Sequence, residues 1–291
     1  KTNTTASNNT AVGYQTLYST TSSNNIGIGY QAGFNVTSAT GTVAIGIRTV
    51  GYNGAGVTGS QNIGVGDNAL YSVTGGTANV ALGGQALYSN TTANNNTAVG
   101  YQAGYSNTTG GVTAVGRLAL QSNTTGQENT AMGDASTNVN TTGSYNSAFG
   151  RATLADNTTG SNNTAVGREA LKSNTTGQQN TAIGSSSLDA NTTGTRNTSI
   201  GYNAMGANTT ATANVAIGDH ALQSKTTTGN DNVAIGTYAA SGLTTGANGT
   251  FVGSGAGQFI TTGTKNTIIG RFTGNQSGLD IRTASNHIVL S

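Results

Sequence analysis

The feature that most limits what this chain can become is a glycine that returns at almost constant spacing. It falls at Gly13, Gly29, Gly46, Gly66, Gly83, Gly100, Gly116, Gly133, Gly150, Gly167, Gly184, Gly201, Gly218, Gly236, Gly253 and Gly270. The gaps are 16, 17 or 18 residues, with a single one of 20 between Gly46 and Gly66. So regular a step means that one sequence unit is one structural step. Each unit carries two short apolar clusters, such as Ala98-Val99 and Ala103, separated by glycine and closed by Asn-Thr-Thr-Gly. No stripe of helical period runs through that pattern, and helical repeats need longer units. Short strands joined by turns fit it. The fold class expected is all-β: a parallel β-solenoid, or β-roll, of about sixteen 17-residue coils. At one strand spacing per coil it spans about 77 Å.

Composition supports order by repetition. The chain of 291 residues has 45 Gly, no Pro, no Cys and no Trp, and 7% of it is charged. Disordered segments of low hydrophobicity rely on proline and charge, which are lacking here. Without cysteine there are no disulfides or thiolate metal sites. The net charge of +2 is scattered, without the basic stripe that nucleic acid recognition needs. No apolar run is long enough to span a bilayer as a helix. The opening Lys1-Thr2-Asn3 lacks Met and suggests a piece of something longer.

Side chains alternate faces along a strand, so the Asn-Thr-Ala-Val-Gly segment sorts into columns. The fourth position holds Val12, Ile45, Val99, Val115, Phe149, Val166, Ile183, Ile217, Ile235 and Ile269, read as the structural core ladder. The third stays small, with Ala11, Ala44, Ala81, Ala98, Ala131, Ala165, Ala182 and Ala216. A face held small suggests close approach of another backbone, and that backbone is expected to be a second chain. The pairs Ala69-Leu70, Ala86-Leu87, Ala119-Leu120, Ala170-Leu171 and Ala221-Leu222 close the core from the opposite wall. A coil with so few large apolar side chains has little to set against its backbone entropy, which again favours a homo-oligomer. In Asn-Thr-Thr-Gly, asparagine is expected to cap its turn in left-handed backbone and glycine to supply positive φ. Stacked Asn and Thr can bond along the axis. The Asn-x-Thr triplets at Asn90, Asn107, Asn123, Asn140 and Asn174 permit glycosylation, but the turns already account for them.

Two resemblances follow from these motifs. Val43-Ala-Ile-Gly46, Val215 to Gly218 and Val233 to Gly236 resemble the repeats in the heads of trimeric autotransporter adhesins, whose repeats are shorter. The Asn-Thr-Ala-Val-Gly-Tyr-Gln-Ala-Leu units with Asn-Thr-Thr-Gly turns are similar, over residues 8–270, to tail-fibre repeats of bacteriophages, marine ones in particular. The resemblance implies a left-handed roll with three chains around one axis, a virion location, and a role in reach and stiffness for host attachment. In that family more shaft, and often a self-cleaving chaperone of the endosialidase type, follows such arrays. The organisation expected is a repeat array over 1–270, with a Gly-rich insertion at 47–61, and a terminal coil or transition over 271–291. The alternatives are a bacterial or archaeal surface adhesin or extracellular filament, and an ice-binding solenoid, which thermal hysteresis distinguishes.

No catalytic residues, metal site or cofactor are expected, and the chain is not read as an enzyme. Asp134 and Asp156 sit in adjacent coils at different coil positions, so no acid pair converges as glycosidases require. His220 and His287 are far apart. Gly54-Ala-Gly56-Val-Thr-Gly59 has the glycine spacing of a dinucleotide loop without the strand and helix around it. The position after the strand glycine is the candidate contact column. Tyr14, Tyr30, Tyr101 and Tyr202 there can stack on a sugar ring, with Arg117, Arg151 and Arg168 beside them. The plainer reading of the tyrosines is packing, and of Arg117, Asp134, Arg151 and Arg168 a surface ion-pair ladder. The partners expected are further copies of the chain and cell-surface glycan, with no nucleic acid and no membrane insertion.

Overall fold

The computed structural model describes residues 6–224 and 229–291; Lys1 to Asn3 lie outside them. The chain is a parallel β-solenoid of about sixteen turns, and among the described residues there is no helix. It divides into two units, Lys1–Tyr145 and Asn146–Ser291. In the first, β1 (Thr10–Val12), β2 (Ile26–Ile28), β3 (Val43–Ile45), β4 (Ile63–Val65), β5 (Val80–Leu82), β6 (Thr97–Val99), β7 (Thr113–Val115) and β8 (Thr130–Met132) stack in order. In the second, β9 (Ser147–Phe149), β10 (Thr164–Val166), β11 (Thr181–Ile183), β12 (Thr198–Ile200), β13 (Val215–Ile217), β14 (Val233–Ile235), β15 (Thr250–Val252) and β16 (Thr267–Ile269) do the same. A short hairpin of β17 (Asn275–Gln276) and β18 (Leu279–Asp280) interrupts the last coil, and β19 (Ile288–Leu290) then pairs with β16. Residues 271–291 therefore add one more rung.

Pairing is residue for residue. Thr97, Ala98 and Val99 lie beside Thr113, Ala114 and Val115, and Thr164, Ala165 and Val166 beside Thr181, Ala182 and Ile183. Equal unit length produces this register, because each coil returns the chain to its own sequence position. The longer unit between Gly46 and Gly66 keeps register too, with Ala44 opposite Gly64. Its surplus bulges out as a loop anchored by Val57, which is buried and bridges Val36.

The faces are the reverse of the sequence expectation. The small column points into its own coil: Ala44, Ala81, Ala98, Ala131, Ala165, Ala182 and Ala216 have no accessible surface. Only Ala11, in the first described rung, is exposed. No second chain can reach the buried alanines, so they are not an inter-chain face. The column read as core points outward instead. Val12, Phe149, Val166, Ile183, Ile235 and Ile269 are 37–58% exposed, while Ile45, Val99, Val115 and Ile217 are half-buried.

The physical reason is the narrowness of the coil. The backbone pressed against the small column is the coil's own returning wall, where Leu70, Leu87, Leu120, Leu154 and Leu171 are fully buried. A Cβ placed on Gly27 would come within 2.5 Å of Thr16 Cγ2 and 2.9 Å of Leu17 Cγ. The wall position and the strand position share one fixed volume. In β15 the inner residue is the fully buried Phe251, and there the wall position, leucine in about half of the coils, is Gly257. A Cβ on Gly257 would lie 2.4 Å from the Phe251 ring. A buried hydroxyl obeys the same logic, since Ser199 bonds Ser187 Oγ at 2.7 Å and the Ala204 carbonyl at 2.8 Å.

Candidate functional site

Turn chemistry sets which side chains each coil can show to solvent. The strand glycines adopt φ between 111° and 145°, which only glycine does without strain. Beyond them, residues such as Gln102, Leu120 and Asn162 are left-handed, at φ 55°, 50° and 60°. The turn glycines of Asn-Thr-Thr-Gly are not left-handed, and neither is their asparagine. Gly160 is needed for room, because a Cβ would sit 2.4 Å from both Gly177 O and Asn157 Oδ1.

The asparagines go inward and form two ladders. In the turn ladder Asn174 Nδ2 donates to Asn157 Oδ1 at 2.8 Å and to Gly177 O at 3.0 Å. In the ladder ahead of the strands Asn180 Nδ2 donates to Gly194 O at 2.8 Å, and Asn197 donates to Asn180 Oδ1 from its backbone N at 3.0 Å and from Nδ2 at 3.1 Å. Asn90, Asn107, Asn123, Asn140 and Asn174 are fully buried, so a glycan has no access to their amides in this fold. Outside them, Thr158 and Thr175 hydroxyls each donate to the carbonyl one coil on at 3.0 Å.

Three surfaces remain as candidates. The first is the outward strand face, two columns wide. Its second-position residues are Thr, Ser, Val or Ile and its fourth-position residues Val, Ile, Leu, Met or Phe, with no charge in any rung from β1 to β16. The second is the edge after the strand glycine. Tyr14 stacks on Tyr30 at 5.5 Å, and Tyr101 stands exposed in the same unit without a neighbouring ring at its position one coil away. In the other unit Tyr202 meets His220 edge-on at 5.3 Å, and His220 stacks on Tyr238 at 5.0 Å, with Asp219 against the imidazole. Arg117 pairs with Asp134 at 2.8 Å, whereas Arg151 and Arg168 both reach Glu169, at 3.2 and 3.4 Å. These exposed pairs contribute a few tenths of a kcal/mol, about the usual value at a surface. The edge therefore holds small local clusters, and its tyrosines and arginines do not gather at one place.

The third surface escaped the sequence reading. Tyr18, Phe34, Tyr52, Tyr71, Tyr88 and Tyr105 form a continuous column of rings on the first unit. The signal was present in Leu17-Tyr18-Ser19, Leu70-Tyr71-Ser72 and Leu87-Tyr88-Ser89, which repeat one coil position. Tyr71, Tyr88 and Tyr105 are near parallel at 4.8 and 4.9 Å. Burial first, then the neighbouring phenols of Tyr71 and Tyr105, push the Tyr88 phenol above its ordinary range. On the second unit the corresponding wall carries Asp189, whose carboxyl is pushed up mainly by burial.

Among the described residues no cluster of three or more His, Asp or Glu is placed to hold a metal ion. No described helix is long and apolar enough to cross a membrane. No protein-family model matches the chain, and no curated protein matches it either. The fold itself defines the class, a parallel β-solenoid repeat protein.

Proposed function

We propose that this chain is the structural segment of a fibre, of the kind found in bacteriophage tail fibres, and that several copies assemble side by side through the outward strand face. The observation that carries the reading is that face: apolar or hydroxyl-bearing, uncharged, and repeated at every rung of each unit. A large exposed apolar stripe marks an interaction surface. Its partner must present matching side chains at the ~4.8 Å strand spacing, and a second copy of the same chain does so over its whole length. A twofold pair and a threefold ring both close such faces on themselves, and three copies around a common axis are the arrangement taken here. The trimer also agrees with the resemblance to trimeric repeat fibres. The fibre's work in this reading is reach and stiffness for attachment at a host surface.

An antibody raised against the purified chain tests the carrier. It is expected to decorate purified virions along slender appendages, and in-frame removal of two coils is expected to shorten those appendages by about 10 Å. Decoration of cell surfaces with bare virions would replace the phage fibre by a cellular adhesin or filament.

A further inference from the structure

We infer that the Gly-rich insertion opens a saccharide-binding cleft in the aromatic column, centred on Tyr52. Where the rings stack in parallel, each covers its neighbour's face and shows solvent only edges. That holds for Tyr18 on Phe34, with 3° between planes, and for Tyr71 on Tyr88, with 6°. At Tyr52 the stack breaks. Its ring is turned by 59° from Phe34 and 50° from Tyr71, with centroids 5.9 and 5.6 Å away.

The backbone there has not slipped, since Tyr52 N still donates to Tyr71 O at 2.9 Å. The ring alone has turned, in the coil that carries the extra residues. Around it lies a cleft of about 510 Å³ lined by Phe34, Asn35, Tyr52, Asn53, Gly54 and Tyr71. Gly54 leaves its side open, for a Cβ built on it would meet nothing within 4 Å.

The lining suits a pyranose ring. A sugar offers an apolar C–H face and a rim of hydroxyls, and so asks for an aromatic face flanked by planar amides. Asn35 and Asn53 each donate one amide bond to backbone, to Tyr52 O and Ser72 O at 3.3 Å. Each amide group has a second N–H and a carbonyl lone pair in its bonding capacity. Arg48 lies over one face of the Tyr52 ring, its guanidinium 4.9 Å from the centroid, which fixes the ring and leaves the opposite face to the sugar. An extended peptide would instead need a run of unpaired backbone, and at the ring itself Tyr52 N and Tyr52 O are both already bonded. The cleft stands whether a virion or a cell carries the coil, so its fate is separate from that of the fibre reading.

The test is binding of the purified chain to immobilised oligosaccharides ending in hexose, N-acetylhexosamine, deoxyhexose and uronic acid. At least one terminus is expected to be retained. Tyr52→Leu, which keeps bulk but removes the π face, should lower that binding roughly tenfold, and Tyr52→Phe should keep it. Tyr105→Leu, at the far end of the parallel stack and outside the cleft lining, should leave it unchanged. Failure to retain any terminus, equal binding by Tyr52→Leu, or an equal loss with Tyr105→Leu would overturn the inference. An unchanged circular dichroism spectrum for Tyr52→Leu separates loss of the site from loss of fold.

Discussion

Gly100→Ala is expected to destabilise its unit by at least about 3 kcal/mol. Two penalties coincide at this position. Its φ of +132° lies where an L side chain is strained, at a cost of about 1–3 kcal/mol. The new Cβ would also stand 2.5 Å from Gly116 O and 2.6 Å from its carbonyl carbon, so the two rungs must part. Parting them weakens the bond between them, from Gly116 N to Val99 O at 2.7 Å. Because a solenoid coil touches only its neighbours, the damage should be local. Hydrogen exchange is expected to quicken at β6 and β7 first. Gly75→Ala is the control, since the nearest atom to its Cβ is Thr92 Cγ2 at 3.8 Å; it should shift stability by no more than about 0.5 kcal/mol. Equal melting of the two variants would remove the close-approach account of the strand glycines.

Asn180→Ala is expected to cost about 2–4 kcal/mol, measured by denaturant or thermal unfolding. Asn180 is fully buried and serves both directions of the ladder. Without its side chain the Gly194 carbonyl loses one of its two amide donors, keeping Asn191 Nδ2 at 3.1 Å, and the Asn197 backbone N–H loses its acceptor. That buried N–H left unsatisfied costs about 1–3 kcal/mol, and the vacated volume adds to that. Asn197 Nδ2 keeps its bond to Ala211 O at 2.9 Å, so the break should not run further along the ladder. Asn180→Asp distinguishes bonding from volume: it keeps the acceptor, loses the amide donor and buries a carboxylate. Burial raises such a group's pKa above its unfolded value of about 3.9. The Asp variant is therefore most stable below that pH and weakens as pH rises through the folded value. A variant as stable at pH 7 as at pH 3 would show that the ladder does not penalise a charge at this position.

The sequence told more about spacing than about direction. Glycine intervals located every strand from β1 to β16 to the residue, because the coil length and the ladder register are the same quantity. The inner and outer faces came out reversed, for a reason that alternation cannot settle. Period two says that Ala98 and Val99 face opposite ways and leaves open which way is in. Lumen width decides it, and width depends on how closely the leucine wall returns, as at Leu87 and Leu120. The large Phe251 beside Gly257 was a partial hint, although a wall glycine also stands beside small strand residues, as Gly104 does with Ala98. Left-handed backbone was likewise assigned to the wrong residues of the turn. Gly160 satisfies a space requirement and Asn157 a hydrogen-bonding one, while residues such as Asn162 and Gln179 carry the positive φ. The candidate cleft was least legible, because Tyr52 occupies the same column as Tyr71 and differs only in the tilt that a longer coil allows.

The outward Val and Ile column makes the assembly of copies the claim on which the proposed function stands. The mass of the native particle in solution, by light scattering or native mass spectrometry, tests it most directly. The account predicts a stable species of three times the 28.8 kDa chain mass. A particle that remains at 28.8 kDa over a wide concentration range, with that column left in water, would contradict it.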